Sequence, residues 1–127
     1  MYKGGGDGLA VKKTFRVKKK TDFDAIFKVR KSFANRAFIV YQLDNGQSHF
    51  RVGLSVSKKL GNAVRRNRIK RLMRHALMAL NVESLLPLDF VVIARKGVEG
   101  YDFQTVKKNL EHVLKGANIY QNEIISK

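Results

Sequence analysis

FRVGLSVSKKLGNAVRRNRIKRLMRHALMAL, residues 50–80, changes its hydrophobic period halfway along, and that change decides the fold. In the first part Phe50, Val52, Leu54 and Val56 fall on one side, and Arg51, Gly53, Ser55 and Ser57 on the other. Alternation of that kind belongs to a half-buried strand. Gly61 and Asn62 break the chain, and Asn62 is suited to capping a helix. The spacing beyond predicts a helix to about Leu80. At about 100° per residue, Ile69, Leu72, Met73, Ala76 and Leu80 share one narrow face, while Arg66, Arg68, Lys70, Arg71 and Arg74 take the rest. Arg65 lies inside the apolar arc, and from the first turn its side chain can project past the edge of the core. Leu88–Arg95, LDFVVIAR, is then a continuous apolar run of strand length, reached through Pro87. A strand–helix–strand crossover follows from this order.

The flanking segments complete an α+β domain. Phe38–Leu43 (FIVYQL) is rich in strand formers and is followed by the turn signal Asp44-Asn45-Gly46, so this run and residues 50–57 are expected to form an antiparallel hairpin. Thr21 reads as an N-cap, with Asp24 three residues on and Asp22 also suited to the positive helix end. With Phe23, Ile26 and Phe27 at helical spacing, a helix is predicted over about 22–30. Asp102 is a second cap, Phe103, Val106, Leu110, Val113 and Leu114 mark the last helix, and Gly116 ends it. The pattern yields three firm strands and three helices in a single-domain sandwich, with residues 1–11 as a flexible glycine-rich leader, 12–116 as the domain and 117–127 as a frayed tail.

Composition narrows the function. The chain has 127 residues, the size of one domain, and 44% hydrophobic residues, enough for one core. With no Cys there is no disulfide scaffold, thiolate zinc site or thiol nucleophile. No apolar run has the length of a membrane span, and nothing resembles a secretory signal. A protein of the cytoplasm, with no membrane partner and no small-molecule substrate, is expected. The formal net charge is +16, and all of the excess lies in residues 12–75, where Asp22, Asp24 and Asp44 are the only acids. Charge concentrated in this way attracts a polyanion.

The residues that carry chemistry point the same way. His49, His75 and His112 share no ligand spacing, and neither they nor the carboxylates make an evident acid–base pair. Asp22 and Asp24, two residues apart, could hold a hydrated Mg²⁺, but capping explains both. The strongest signal is Ser57–Arg74. Lys58 and Lys59 precede a helix start whose free N–H groups suit phosphate, Arg65, Arg66, Arg68, Lys70, Arg71 and Arg74 decorate the helix, and Asn62 and Asn67 add polar groups. An ordinary solvated helix mixes charge signs, and this one has no acid. Phe23 and Phe27, one turn apart beside the basic arm 12–20, together with Tyr41, could stack unpaired bases, although Phe at that spacing is most often core.

FANRAFIVYQL (33–43), FRVGLSVSKKLGNAVRRNRIKRLMRH (50–75) and FVVIARKG (90–97) resemble the protein subunit of bacterial ribonuclease P. The resemblance runs from about Lys12 to about Lys115, and Arg66-Asn67-Arg68 is similar to that family's Arg-Asn-Arg motif. It implies a fold of about four strands in one mixed sheet with three helices, in the order αβββαβα. This is the ribosomal protein S5 domain 2-like arrangement, and its βαβ crossover is left-handed, against the usual rule. It also implies a ribonucleoprotein whose catalytic RNA removes the 5′ leader of precursor tRNA using Mg²⁺ held mainly by that RNA, with no metal bound stably by the protein and no catalytic residue in it. The catalytic RNA would meet Lys58, Lys59, Asn62, Arg65, Arg66, Asn67, Arg68, Lys70, Arg71 and Arg74. The single-stranded leader would lie in a cleft at Lys19, Phe23, Phe27 and Tyr41. Two other readings compete: a non-enzymatic ribosomal or assembly protein that binds RNA, and a metal nuclease using Asp22 and Asp24.

Overall fold

A continuous apolar strand needs cover on both faces, and Asp89–Ala94 gets it from the interior of a four-stranded sheet. The computed structural model describes residues 15–121, apart from positions 45 and 47. The strands are β1 (Ser32–Ala34), β2 (Phe38–Leu43), β3 (Arg51–Val56) and β4 (Asp89–Ala94), and the helices are α1 (Lys20–Val29), α2 (Ala63–Ala79) and α3 (Phe103–Gly116). The spatial order is β1-β2-β4-β3. β4 pairs antiparallel with β2, from Phe38 opposite Ala94 to Leu43 opposite Asp89, and parallel with β3, from Arg51 opposite Asp89 to Val56 opposite Ala94. The order αβββαβα and the mixed four-stranded sheet agree with the expected α+β sandwich.

The expected hairpin between residues 38–43 and 50–57 does not form. β4 lies between those two strands, because only an interior position covers Phe90, Val91 and Val92, all fully buried. β1 carries no hydrophobic pattern to announce it: it has three residues, all exposed, and pairs antiparallel with β2 as an edge strand. The opposite edge, along β3, is covered by the arm, where Arg16 bridges to Val52 and the Val17 N–H donates to the Val52 carbonyl at 3.0 Å.

The sheet is packed on both faces. Val17, Ile26 and Val91 are buried on one, with Phe23, Phe27, Tyr41, Leu43 and Ile93 around them under α1. The larger core, including Phe38, Val40, Phe90, Ile69, Met73, Leu77, Leu110 and Leu114, lies on the other face under α2 and α3. Leu77 falls outside the predicted apolar arc of α2 and is nevertheless fully buried. The reason is that α2 packs against α3 as well as β3, so it buries a wider arc than one neighbour would require.

Two local expectations are corrected. Thr21 does not cap α1. The helix begins at Lys20 behind Lys19, which makes no side-chain cap, and Asp24 pairs instead with Lys20 at 2.9 Å. The tail expected from residue 117 is packed as far as the structure describes it, to Gln121. Ala117, Ile119 and Tyr120 are buried, the Tyr120 hydroxyl accepts from the Asn81 N–H at 3.1 Å, and Gln42 Nε2 donates to the Ala117 carbonyl at 2.9 Å. The apolar pair Ile119-Tyr120, starting three residues past the helix end, is the available signal, and it lies beyond the glycine that closes α3. Residues 1–11 and 122–127 lie outside the described residues.

Arg51 ties the layers together. Its Nε and Nη2 donate to Asp89 at 2.9 and 2.6 Å, and its Nη1 lies 3.5 Å from Asp22 on α1. Asp89 is 1% exposed, so its charge depends on this fork. Asp89→Ala should lower the unfolding free energy by about 3 kcal/mol, the lower end for stripping a partner from a buried pair, because Arg51 keeps Asp22. Urea denaturation measures this, and a change below about 1 kcal/mol would make the pair no more than a surface bridge.

Candidate nucleic-acid interface

The crossover helix presents its cations outward because its other face is used up in the core. Ile69, Met73, Ala76 and Leu77 are buried, while Arg65, Asn67, Arg68 and Arg71 are exposed and Arg66, Lys70 and Arg74 half-buried. Lys58 and Lys59 stand exposed in the turn before the helix, where Ser57 Oγ accepts from the Lys59 N–H. Asn62 caps α2 as expected, its Oδ1 accepting from the Arg65 N–H at 2.9 Å. Gly61 has φ of +137°, and a Cβ there would stand 2.6 Å from Arg65 Cδ, so glycine lets the Arg65 stem fold back over the turn. Arg65 thus leaves the apolar arc and is exposed. Arg66 Nε donates to the Gly61 carbonyl at 3.2 Å.

Among the described residues, no ion pair reaches Lys58, Lys59, Arg65, Arg66, Arg68, Lys70, Arg71 or Arg74. The N–H groups of Glu99 and Gly97, and then the charges of Lys96 and Arg65, hold the Glu99 carboxyl below its usual range, so this acid feels one of these cations. Other carboxylates are engaged elsewhere. Asp22 and Asp89 face Arg51, Asp24 faces Lys20, and Glu111 faces Lys115. Asp22 and Asp24, two apart on a helix, do not converge, and each already has a cation, so this pair does not fit a metal. Among the described residues there is no group of three or more His, Asp or Glu that could hold one.

The aromatic residues come together on the other face of the sheet. Phe27 meets Tyr41 edge-on at 5.0 Å between ring centroids, and Phe23 lies 6.5 Å from Phe27, tilted by 33°. All three are half-buried and belong to the small core under α1, so they pack as well as present a surface. Lys19 is exposed one turn before Phe23. Gly53 sets the position of Phe23: a Cβ there would lie 2.6 Å from its ring.

A residue outside the predicted set joins the two halves. A cleft of about 130 Å³ opens at the edge of β3, lined by Arg16, Val17, Phe23, Val52, Gly53, Leu54, Lys70 and Arg74. It therefore has Phe23 on one wall and the flank of α2 on the other. The Nε of Arg16 is buried and has no hydrogen-bond partner among the described residues. Burial first, and then the charges of Arg16 and Arg71, hold the Arg74 guanidinium below its usual pKa. Crowded cations in a cleft lined by no carboxylate, one of them with an unpartnered buried N–H, are chemically suited to an oxyanion. The sequence offers a signal for Arg16, since Phe15 and Val17 turn inward on either side of it, but in the basic arm 12–20 it is one cation among many.

Comparison with known proteins agrees with this chemistry. A family model described as ribonuclease P matches residues 11–118. The "Ribonuclease P protein component" of Lactococcus lactis is 61% identical over 112 residues, 88% of this chain and 95% of that one. The solved ribonuclease P protein of Staphylococcus aureus superposes with a TM-score of 0.78 at 44% identity, covering 84% of this chain and 98% of that chain. That of Thermotoga maritima gives 0.72 at 37% identity, covering 80% and 96%.

Arg16→Met keeps the packed stem and removes the crowded charge. The free protein should be as stable as the parent or slightly more so in low-salt urea denaturation, while affinity for structured RNA should fall. If both stability and affinity fall together, Arg16 is a packing residue and not an anion ligand.

Proposed function

This chain belongs to the ribonuclease P protein family, and from that membership we propose the division of labour that its surface supports: the protein grips and guides RNA, and an RNA partner breaks the bond. The chain is an RNA-binding component of bacterial-type ribonuclease P, the ribonucleoprotein that processes tRNA precursors. Family membership sets aside the ribosomal or assembly protein, and the engaged carboxylates Asp22 and Asp24 speak against the metal nuclease. No described helix is long and apolar enough to cross a membrane, and the proposed place of action is the cytoplasm.

One observation carries the proposal: among the described residues, no ion pair reaches Lys58, Lys59 or the six cations of α2. Unpaired surface cations displace the counterions condensed on RNA, which gives affinity without requiring a base sequence. Arginine forks at Arg65, Arg66, Arg68 and Arg71 suit phosphate bidentately, and the exposed Asn67 between two of them can meet a base edge or 2′-hydroxyl. This surface is assigned to the catalytic RNA. Lys19, Phe23, Phe27 and Tyr41 are assigned to the unpaired 5′ leader of precursor tRNA. There the Phe23 ring borders a cleft whose other wall carries Arg16, Lys70 and Arg74, so a stacked base and its phosphate find adjacent partners.

Two of the three histidines make structural contacts. His49 Nδ1 is bonded to the Phe50 carbonyl and its ring meets Phe15, and His112 is bonded to Asn35. Mg²⁺ held by the RNA would supply an activated water and charge stabilisation. The protein's own contribution is positive charge, which lowers the concentration of Mg²⁺ needed to hold a folded RNA and its substrate together.

Protein rigorously freed of RNA should not cleave precursor tRNA, whereas addition of the catalytic RNA should give cleavage, with the protein's effect largest at low Mg²⁺. Cleavage by the RNA-free protein would contradict the assignment of roles. Phe23→Ala should weaken holoenzyme binding of a long-leader precursor relative to leaderless tRNA by about 1–3 kcal/mol. Equal loss on both substrates would remove the aromatic strip from the leader path.

A further inference from the structure

A second groove lies between the β1–β2 turn and α3. It has a volume of about 620 Å³ and is lined by Asn35, Arg36, Tyr101, Thr105, Lys108, Asn109 and His112. None of the residues assigned above belongs to it, and no carboxylate lines it. Arg36 and Lys108 are exposed, and neither has an ion-pair partner among the described residues. The nearby acids are committed. Asp102 caps α3 by accepting from the Thr105 N–H, Glu99 accepts from the Gly97 N–H, and Glu111 pairs with Lys115.

The walls are held rigidly by one amide. Asn35 Oδ1 accepts from the N–H groups of Ala37 and Phe38 at 2.9 and 2.8 Å, which fixes its orientation. Its Nδ2 therefore donates to the Asn109 carbonyl at 2.9 Å and to His112 Nδ1 at 3.1 Å. With Nδ1 accepting, the neutral imidazole carries its proton on Nε2. That N–H and the Thr105 hydroxyl remain as groups for a ligand, and Asn109 Nδ2 is turned to the Thr105 carbonyl, leaving its Oδ1 as an acceptor. Half-buried Tyr101 supplies an aromatic wall.

The strand register gives the groove its place. Phe38 opens β2 opposite Ala94, the end of β4, and Ala94 also faces Val56, the end of β3. Asn35 and Arg36 lead into β2, and Lys58, Lys59 and the start of α2 follow β3. The strand ends that these residues flank lie at one end of the sheet, about 10 Å apart across three neighbouring strands. Arg95, which follows β4 at that same end, donates to the Asn35 carbonyl at 2.9 Å.

We propose that this groove is a second seat for an unpaired RNA segment, continuing the interface from the start of α2 across the end of the sheet to α3. The inference rests on the reading of the chain as an RNA-binding subunit. Arg36 and Lys108 hold backbone phosphates, Tyr101 stacks a base, and His112 Nε2, the Thr105 hydroxyl and Asn109 Oδ1 meet its edge. Tolerance of base identity is expected, because stacking dominates.

The test is the double variant Arg36→Gln, Lys108→Gln, both exposed positions at which the melting temperature should not move. Binding is measured across a salt series in two arms: variant protein with the catalytic RNA alone, and assembled holoenzyme with precursor tRNA. The proposal expects weaker binding and a salt slope shallower by about 1.4 in one arm, at about 0.7 per single-strand phosphate. Loss in the first arm places the segment in the catalytic RNA, and loss in the second places it in the substrate. Parent affinity and slope in both arms would overturn the proposal. Arg66→Gln, Arg68→Gln is run alongside. If that control also binds like the parent, the assignment of α2 to RNA has failed, which is a separate result from failure of the groove alone.

Discussion

Parallel pairing of β3 with β4 obliges the chain between them to cross a face of the sheet, and the segment that crosses is the helix bearing the arginines. This one constraint positions the rest. A crossover helix buries one side on the sheet and must turn the other away. Here the buried side is Ile69, Met73, Ala76 and Leu77, and the outward side is almost wholly cationic. The start of α2 follows the end of β3 closely, so Lys58 and Lys59 stand next to its first turn. α1, on the opposite face, carries Phe23 to the edge of β3, where the flank of α2 is also within reach across a single narrow cleft. The two surfaces thus meet at an edge strand rather than lying on unrelated sides.

The segregation of charge is as deliberate in the fold as in the sequence. The acids are few, and the tertiary structure sends them elsewhere, to Arg51, Lys20, Lys96 and Lys115. Arg51 is the exception among the cations of the central region. It is spent on the buried Asp89 and on Asp22, and it anchors α1 to the sheet. The remaining cations repel one another, most visibly Arg16, Arg71 and Arg74. A surface arranged in this way costs stability in the free protein and regains it when a polyanion arrives.

Much of this was legible in the chain, and what escaped did so for identifiable reasons. The change of period in residues 50–80 located β3 and α2 because one face of each is buried, and burial writes itself into hydrophobic spacing. Asn62 was readable as a cap because capping is local. Strand order was not readable. The turn signal at Asp44–Gly46 favours a hairpin, but pairing is decided by which strand most needs the interior, and that was Asp89–Ala94. β1 left no trace, since three exposed residues at an edge have no pattern. Thr21 and Asp24 looked like a capping pair, and a cation four residues before Asp24 and a distant arginine facing Asp22 were the stronger partners. The residues of the tail that pack, Ile119 and Tyr120, are ordinary apolar residues whose destination lies across the chain at Asn81 and Leu85. Arg16 was hidden among like residues, and only the edge of β3 singles it out. The list of cations was therefore available from the sequence, whereas the cleft that joins them to Phe23 required three dimensions.

The claim at the centre of this account is that unneutralised charge on and before α2 binds RNA by releasing its counterions. The slope of log affinity against log salt concentration, for the parent protein and the ribonuclease P RNA, measures it directly. If about five of the eight cations at 58, 59, 65, 66, 68, 70, 71 and 74 meet duplex phosphates, the slope should be about −4 or steeper. A slope near −1 would mean that this face does not engage the RNA backbone, and the account would be wrong at its foundation.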